Sequence, residues 1–224
     1  MAKRTRAEKQ FRSQTKMIAE GMRTAILAGK LAPGERLSEE KLAGNLKVGR
    51  VQLRDALRRL EAEGYIAFVS HSEVAVNKPT VDEVEDYYSI AGALEGLAAR
   101  LAVERASGEE VARLRELHQA LKDAYRERDL EDYFDANSRF HSFIAETARN
   151  ERLYHLIQQM RQEIQKTRIL ALHLPQRLDY SMREHDQILD AFLKRNPDLA
   201  ESLVLKHLNN QMLAIKTMMQ PAAD

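Results

Sequence analysis

Apolar residues recur along most of this chain at spacings of three and four, the period of an α-helix, and alternate at a spacing of two in one short stretch. Ile18, Met22, Ala25 and Ile26 give a first helical face that ends near Gly29, and Ala32-Pro33-Gly34 makes a turn. Two short helices joined by a tight turn follow, from Leu37 to Gly64. Ser38 can cap the first, Glu39 and Glu40 suit the positive end of its dipole, and it stops near Asn45. The second, from about Gly49 to Glu63, carries Leu53, Leu57 and Leu60 on one face and Arg50, Arg54 and Arg58 along another. Gly64 breaks it, and Tyr65 to Val69 and Val74 to Val76 alternate as two strands about the polar tip Ser70 to Glu73. Helix, helix-turn-helix and hairpin predict a winged head.

Beyond Asn77-Lys78-Pro79 the pattern is helical throughout, about six helices forming one bundle. Thr80 with Glu83, Ser107 with Glu110 and Ser181 with Glu184 match the S/T-x-x-E capping box and predict three helix starts. Asp129 can open another helix, Asn150 and Pro175 bracket a further one, and Asn196-Pro197 opens the last. The expected organisation is therefore mainly α, with a winged helix-turn-helix domain over residues 1–78 and an all-α helical bundle over residues 79–224.

A helix with one packed and one basic face suits insertion into DNA, where a buried face holds the angle and long cations reach phosphates and base edges. An ordinary amphipathic helix with a solvated face would show the same pattern. Charge bears on the choice: residues 1–78 hold 16 Lys/Arg and 9 Asp/Glu, a net of +7, whereas residues 79–224 hold 19 and 25, a net of −6. A basic head on an acidic body fits a polyanion-binding module with a separate second task. Lys3, Arg4, Arg6, Lys9 and Arg12 lie where apolar periodicity is lacking, so a mobile basic arm is expected there. No apolar run approaches the roughly 20 residues that cross a bilayer, and no signal-peptide core follows the basic start, so a cytoplasmic protein is expected. Cysteine is absent, which excludes disulfides, thiolate nucleophiles and cysteine zinc sites and leaves His and side-chain oxygen as metal ligands.

One helix of the body holds the candidate chemistry. Its inward stripe runs Leu130, Phe134, Asn137, His141, Ile144, Ala148, so an amide and an imidazole one turn apart interrupt an apolar face. A polar side chain in a core needs a partner. His185 lies in line with Ile188 and Phe192, and His207 with Leu203 and Ala214, each on another helix. Three imidazoles and an amide oxygen meeting in a bundle would suit a divalent transition metal such as zinc or nickel. Buried histidines that are simply hydrogen-bonded satisfy the same spacing.

The chain resembles the GntR family of transcription regulators, in the FCD (FadR-like) subgroup. The head matches through Ala32-Pro33-Gly34-Glu35-Arg36-Leu37, Arg50, Arg54-Asp55-Ala56-Leu57 and Glu63-Gly64, and the body through Leu94-Glu95-Gly96-Leu97-Ala98, Phe140-His141, Glu184-His185 and Lys206-His207-Leu208. The resemblance implies a homodimer that binds a double-stranded DNA operator. It also implies a helical domain that takes a metal through His141, His185 and His207 and binds a small organic effector, a carboxylate.

The departures from the family pattern are specific. Asn137 stands where the family commonly has Asp, an oxygen donor without the charge. Ala91 stands where an arginine is usual, four residues before Glu95. Gly49-Arg50-Val51-Gln52 replaces the common Ser-Arg-Thr-Pro. Hydroxyl contacts to phosphate at Gly49 and Val51 are thereby lost, while Gln52 brings an amide able to read a base edge beside Arg50 and Arg54. A metalloenzyme with a three-histidine site is the competing reading, but no residue stands at a spacing that would make it a base for metal-bound water. A helical adaptor with buried histidines is the third.

Overall fold

The computed structural model describes residues 6–27, 30–165, 167 and 175–219, and the chain divides into two compact units, one mainly of residues up to Pro79 and the other mainly of residues from Thr80 onward. The first unit is α1 (Arg6–Leu27), β1 (Arg36–Ser38), α2 (Glu39–Leu46), α3 (Arg50–Ala62), β2 (Ile66–Phe68) and β3 (Glu73–Val76). Ile18, Met22 and Ile26 of α1 are buried, as are Leu53, Leu57 and Leu60 of α3, and the two helices pack together. Arg23 of α1 closes on Glu63 at 2.6 Å, just past the end of α3. Gly34 takes a φ of +83°, which lets the turn before β1 donate its amide to the Val76 carbonyl at 2.9 Å.

Three expectations for this unit change. The expected basic arm is helical from Arg6, because Arg, Ala, Glu, Lys and Gln in its first turns are strong helix formers even without an apolar stripe. Lys3 and Arg4 lie outside the described residues. The wing has three strands in the order β1-β3-β2, all antiparallel, where two were expected. With three residues and only Leu37 apolar, β1 is too short to show alternation. Ser38 holds the N-cap position of α2, but its side chain makes no capping bond; the Glu39 amide donates to the Ser72 carbonyl of the hairpin tip.

The second unit contains six helices among its described residues: α4 (Val81–Arg105), α5 (Gly108–Glu127), α6 (Leu130–Thr147), α7 (Glu151–Gln165), α8 (Pro175–Leu193) and α9 (Pro197–Met219). Thr80–Glu83 and Ser107–Glu110 form complete capping boxes. Asp129 caps α6, and Asn150 and Asn196 accept from the amides of Leu153 and Leu199 at the starts of α7 and α9. The Ser181–Glu184 box does not form, because α8 already begins at Pro175 and both residues lie inside it. Ser181 instead accepts from the buried Tyr133 hydroxyl at 2.9 Å, and Glu184 turns to α9.

Phe140, Ile144, Ile188, Phe192 and Val204 fill the main core with Ala99 and Ala102. The side chain of Leu130, expected at the start of the inward stripe of α6, is 37% exposed. α4 runs along α9, and two glycines set their approach. A Cβ on Gly96 would stand 3.2 Å from the Glu201 carbonyl oxygen, and one on Gly92 3.8 Å from that of Leu205. The packing of α4, α6, α8 and α9 brings the polar residues of four stripes together.

Candidate metal centre and nucleic-acid interface

His141, His185 and His207 come from α6, α8 and α9, are all buried, and offer ring nitrogens lying within 4.8 Å of one another. Each Nδ1 is engaged from outside the cluster. His141 Nδ1 stands 3.1 Å from Glu95 Oε2, His185 Nδ1 2.7 Å from the Ser181 carbonyl oxygen, and His207 Nδ1 2.7 Å from Glu184 Oε2. These neighbours accept hydrogen bonds, so each Nδ1 carries the proton and each Nε2 presents a lone pair.

The inner atoms then face one another or nothing. The Nε2 atoms of His141 and His185 face each other at 3.1 Å, and His207 Nε2 is buried with no hydrogen bond. Asn137 Oδ1, one turn before His141, is buried and unpaired as well. Two nitrogens bound to one zinc ion at roughly 2.0–2.1 Å each stand about 3–3.5 Å apart. The donor set and its spacing therefore fit a divalent transition metal.

Burial keeps His185 and His207 neutral. Burial, with His207 and His141 close by, pushes the imidazole of His185 well below its ordinary value. His207 is lowered chiefly by burial, against the opposing bond to Glu184. The carboxylates behind the rings are held ionised. Burial would raise Glu95, but Arg161 and His141 outweigh it and keep the carboxyl well below the usual range. Burial opposes ionisation of Glu184 too, yet His207, Arg177 and Asn210 bring it down to about 2. Tyr133, which steadies Ser181, is pushed up to about 12 mainly by burial.

Several of these supporting residues escaped sequence reasoning. Arg161 of α7 grips Glu95 with two bonds of 2.9 and 3.1 Å, and its third nitrogen donates to Ser142 Oγ at 2.6 Å. Ala91 is buried, and the cation beside Glu95 is thus supplied from another helix. Arg177 Nη2 donates to Glu184 at 2.6 Å and to the His207 carbonyl at 3.3 Å. Nothing in the spacing of Arg161 announces its partner, whereas Arg177, seven residues before Glu184 on the same face of α8, could have been suspected.

In the first unit, α3 lies open beside the wing. Arg50, Arg54 and Arg58 line a groove with His71 and Ser72 of the hairpin tip. Arg50 stands 3.5 Å from Glu40, both well exposed. Arg54 stands 3.8 Å from the largely buried Glu39, with its guanidinium 5.9 Å from the Phe68 ring centroid. Glu39 was legible only as a helix-start acid, and its place behind Arg54 was not. Val51 is 68% exposed at the start of α3. Gln52 folds back over Gly49, where a Cβ would meet its Oε1 at 2.2 Å. Glycine at 49 is what leaves room for that amide at the helix start.

The model of the FCD domain matches residues 86–210, more than half of the chain, and that of the bacterial regulatory proteins of the gntR family matches residues 14–83. The chain belongs to the GntR family. This GntR protein is 28% identical over 204 residues to the uncharacterized HTH-type transcriptional regulator YdhC of Bacillus subtilis, covering 91% of each chain. It is 29% identical over 176 residues to the Nta operon transcriptional regulator of Aminobacter aminovorans, covering 79% of this chain and 82% of the relative. E. coli McbR/YncC shares the fold with a TM-score of 0.66 at 20% identity, over 92% of this chain and 99% of that one. The GntR protein is accordingly a DNA-binding transcription regulator with an FCD-type helical domain, and the metalloenzyme reading falls. Among the described residues, no helix is long and apolar enough to cross a membrane.

Proposed function

We propose that this regulator binds a divalent transition metal through His141, His185 and His207, with Asn137 as a further donor, and that a small carboxylate effector taken at this site modulates operator binding. The observation carrying the reading is the set of inward Nε2 atoms, two of them 3.1 Å apart, beside the unpaired Asn137 Oδ1. Glu95, Glu184 and the Ser181 carbonyl fix the ring tautomers, and Arg161 and Arg177 keep the two carboxylates charged. Bound, the metal supplies positive charge and open coordination positions for the oxygen atoms of an effector.

The operator is read by a homodimer whose two α3 helices enter successive major grooves of a pseudo-palindrome, with Arg50 and Arg54 at phosphates and base edges. Gly49, Val51 and Gln52 make the sequence read at the start of α3 particular to this chain. Exposed Ile90 and Leu97 on α4 and Leu205 and Leu213 on α9 supply apolar surface for pairing. The effector regulates only by binding one placement of the heads better than another.

The test is metal analysis of protein purified without a histidine tag, followed by binding to genomic fragments with and without the metal. About one bound metal per chain, lost in His185→Ala, is expected. A cluster that takes up no zinc or nickel would sink the reading.

A further inference from the structure

We infer that Glu40 is a base-reading residue: together with Arg50 it recognises one G·C pair of the operator, Arg50 donating to guanine and Glu40 accepting from the amino group of the paired cytosine. The inference rests on the reading of α3 as the recognition helix and concerns an acid on the helix before it.

The groove beside the wing is not a cationic track. Arg50, Arg54 and Arg58 share its walls with Glu39, Glu40 and Asp55, three cations against three acids. A surface that only follows phosphates gains from each cation and loses from each carboxylate, so acids in this place weaken non-specific binding. A carboxylate brought against DNA is compensated where it accepts a hydrogen bond from a base, and in the major groove the cytosine amino group is the donor that suits it. The amino group of adenine lies beside the N7 acceptor of the same base, which repels a carboxylate.

The two acids at the start of α2 are placed differently. Glu39 has a side chain only 12% exposed and a backbone amide bonded to the Ser72 carbonyl, so it stays behind Arg54. Glu40 is 80% exposed and stands 3.5 Å from Arg50, itself 77% exposed. A solvated pair of this kind is weakly held, and both ends can turn together to a ligand. Donors and an acceptor thus stand side by side. Along its major-groove edge a G·C pair shows two acceptors, guanine N7 and O6, and then the cytosine amino donor. Their own base-pairing bond holds O6 and the amino nitrogen about 2.9 Å apart, close to the separation of the two side chains. An A·T pair in the same place shows acceptor, donor, acceptor, which sets the adenine amino group against the guanidinium and thymine O4 against the carboxylate.

The experiment selects tight-binding duplexes from random sequence with the full-length protein, then measures affinity with N4-methylcytosine at each cytosine of the selected site in turn. That base still pairs with guanine, but its methyl group replaces the amino hydrogen facing the major groove. At one particular cytosine the methyl group should weaken wild-type binding by about tenfold, as expected for loss of a charged hydrogen bond, and should leave Glu40→Ala nearly unaffected. Glu40→Ala should also bind random-sequence duplex more tightly than the wild type and discriminate less against A·T at that pair. Arg50→Ala should lose its preference for guanine at the same pair. Methylation that nowhere weakens the wild type, that weakens Glu40→Ala equally, or a Glu40→Ala variant with unchanged discrimination would each overturn the inference. Arg50→Ala binding the selected duplex as tightly as the wild type would instead overturn the recognition-helix reading on which it rests.

Discussion

His141 Nε2 and His185 Nε2 stand 3.1 Å apart in the interior of the helical unit. With each Nδ1 facing an acceptor outside the cluster, the two Nε2 atoms are a pair placed to share a cation, a proton or a metal. His185→Ala removes one side of it. The expected result is loss of metal uptake and of any rise in melting temperature on adding zinc, with helix content largely retained by circular dichroism. A wild-type zinc response in this variant would count against the site.

Arg161 and Glu95 form a bidentate pair that is 14% and 7% exposed. Removing one member of such a pair strands a buried charge, at a cost of about 3–5 kcal/mol. Arg161→Ala should lower unfolding stability by that order in urea denaturation. Replacing both members by apolar residues, Glu95→Leu with Arg161→Met, should recover much of the loss. A single variant as stable as the double would show that Glu95 needs no cation.

Metal-free protein should lose stability as the pH falls. The folded-state values of His185 and His207 are depressed below the ordinary value near 6.5, so between the two the unfolded chain binds more protons. Their contribution is complete above about pH 6.5 and is lost as the pH drops toward the depressed values. Urea midpoints in the presence of a chelator at pH 7.5 and 5.5 measure this. Equal midpoints would argue against two buried neutral imidazoles.

Arg54 is held between Glu39 and the Phe68 ring at the groove beside the wing. Arg54→Ala should weaken binding to a selected genomic fragment by about 1–3 kcal/mol, and Arg50→Ala by a similar order. Affinity of the wild type should fall steeply with salt, as counterion release requires. Glu39→Gln keeps the shape but removes the charge behind Arg54, so non-specific affinity should rise and discrimination between fragments fall. Competition binding against random DNA reads both effects, and an unchanged ratio would remove Glu39 from the interface.

What the sequence showed well was whatever repeats or caps. The stripes of α3, α6, α8 and α9 follow from apolar spacing, and Thr80–Glu83 and Ser107–Glu110 follow from the pairing of a hydroxyl with an acid one turn on. The same logic misplaced Ser181–Glu184, because a capping box and a pair of buried polar residues on adjacent turns read alike until the start of the helix is known. β1 was illegible because it pairs across 37 residues of chain, Leu37 with Val74, and shows no alternation of its own. Likewise, Arg161 finds Glu95 only through tertiary packing, 66 residues away. Long-range ion pairs leave no period to detect.

The glycines at 92 and 96 touch none of the imidazoles, yet they act as the gauge block of the cluster. They fix how deeply α9, which carries His207, beds against α4, which carries Glu95. A single added methyl at 96, 3.2 Å from a backbone oxygen that has little room to yield, would widen the seam by a few tenths of an ångström. The depth at which His207 reaches the cluster is thus set at a helix crossing, by residues with no ligand atoms at all.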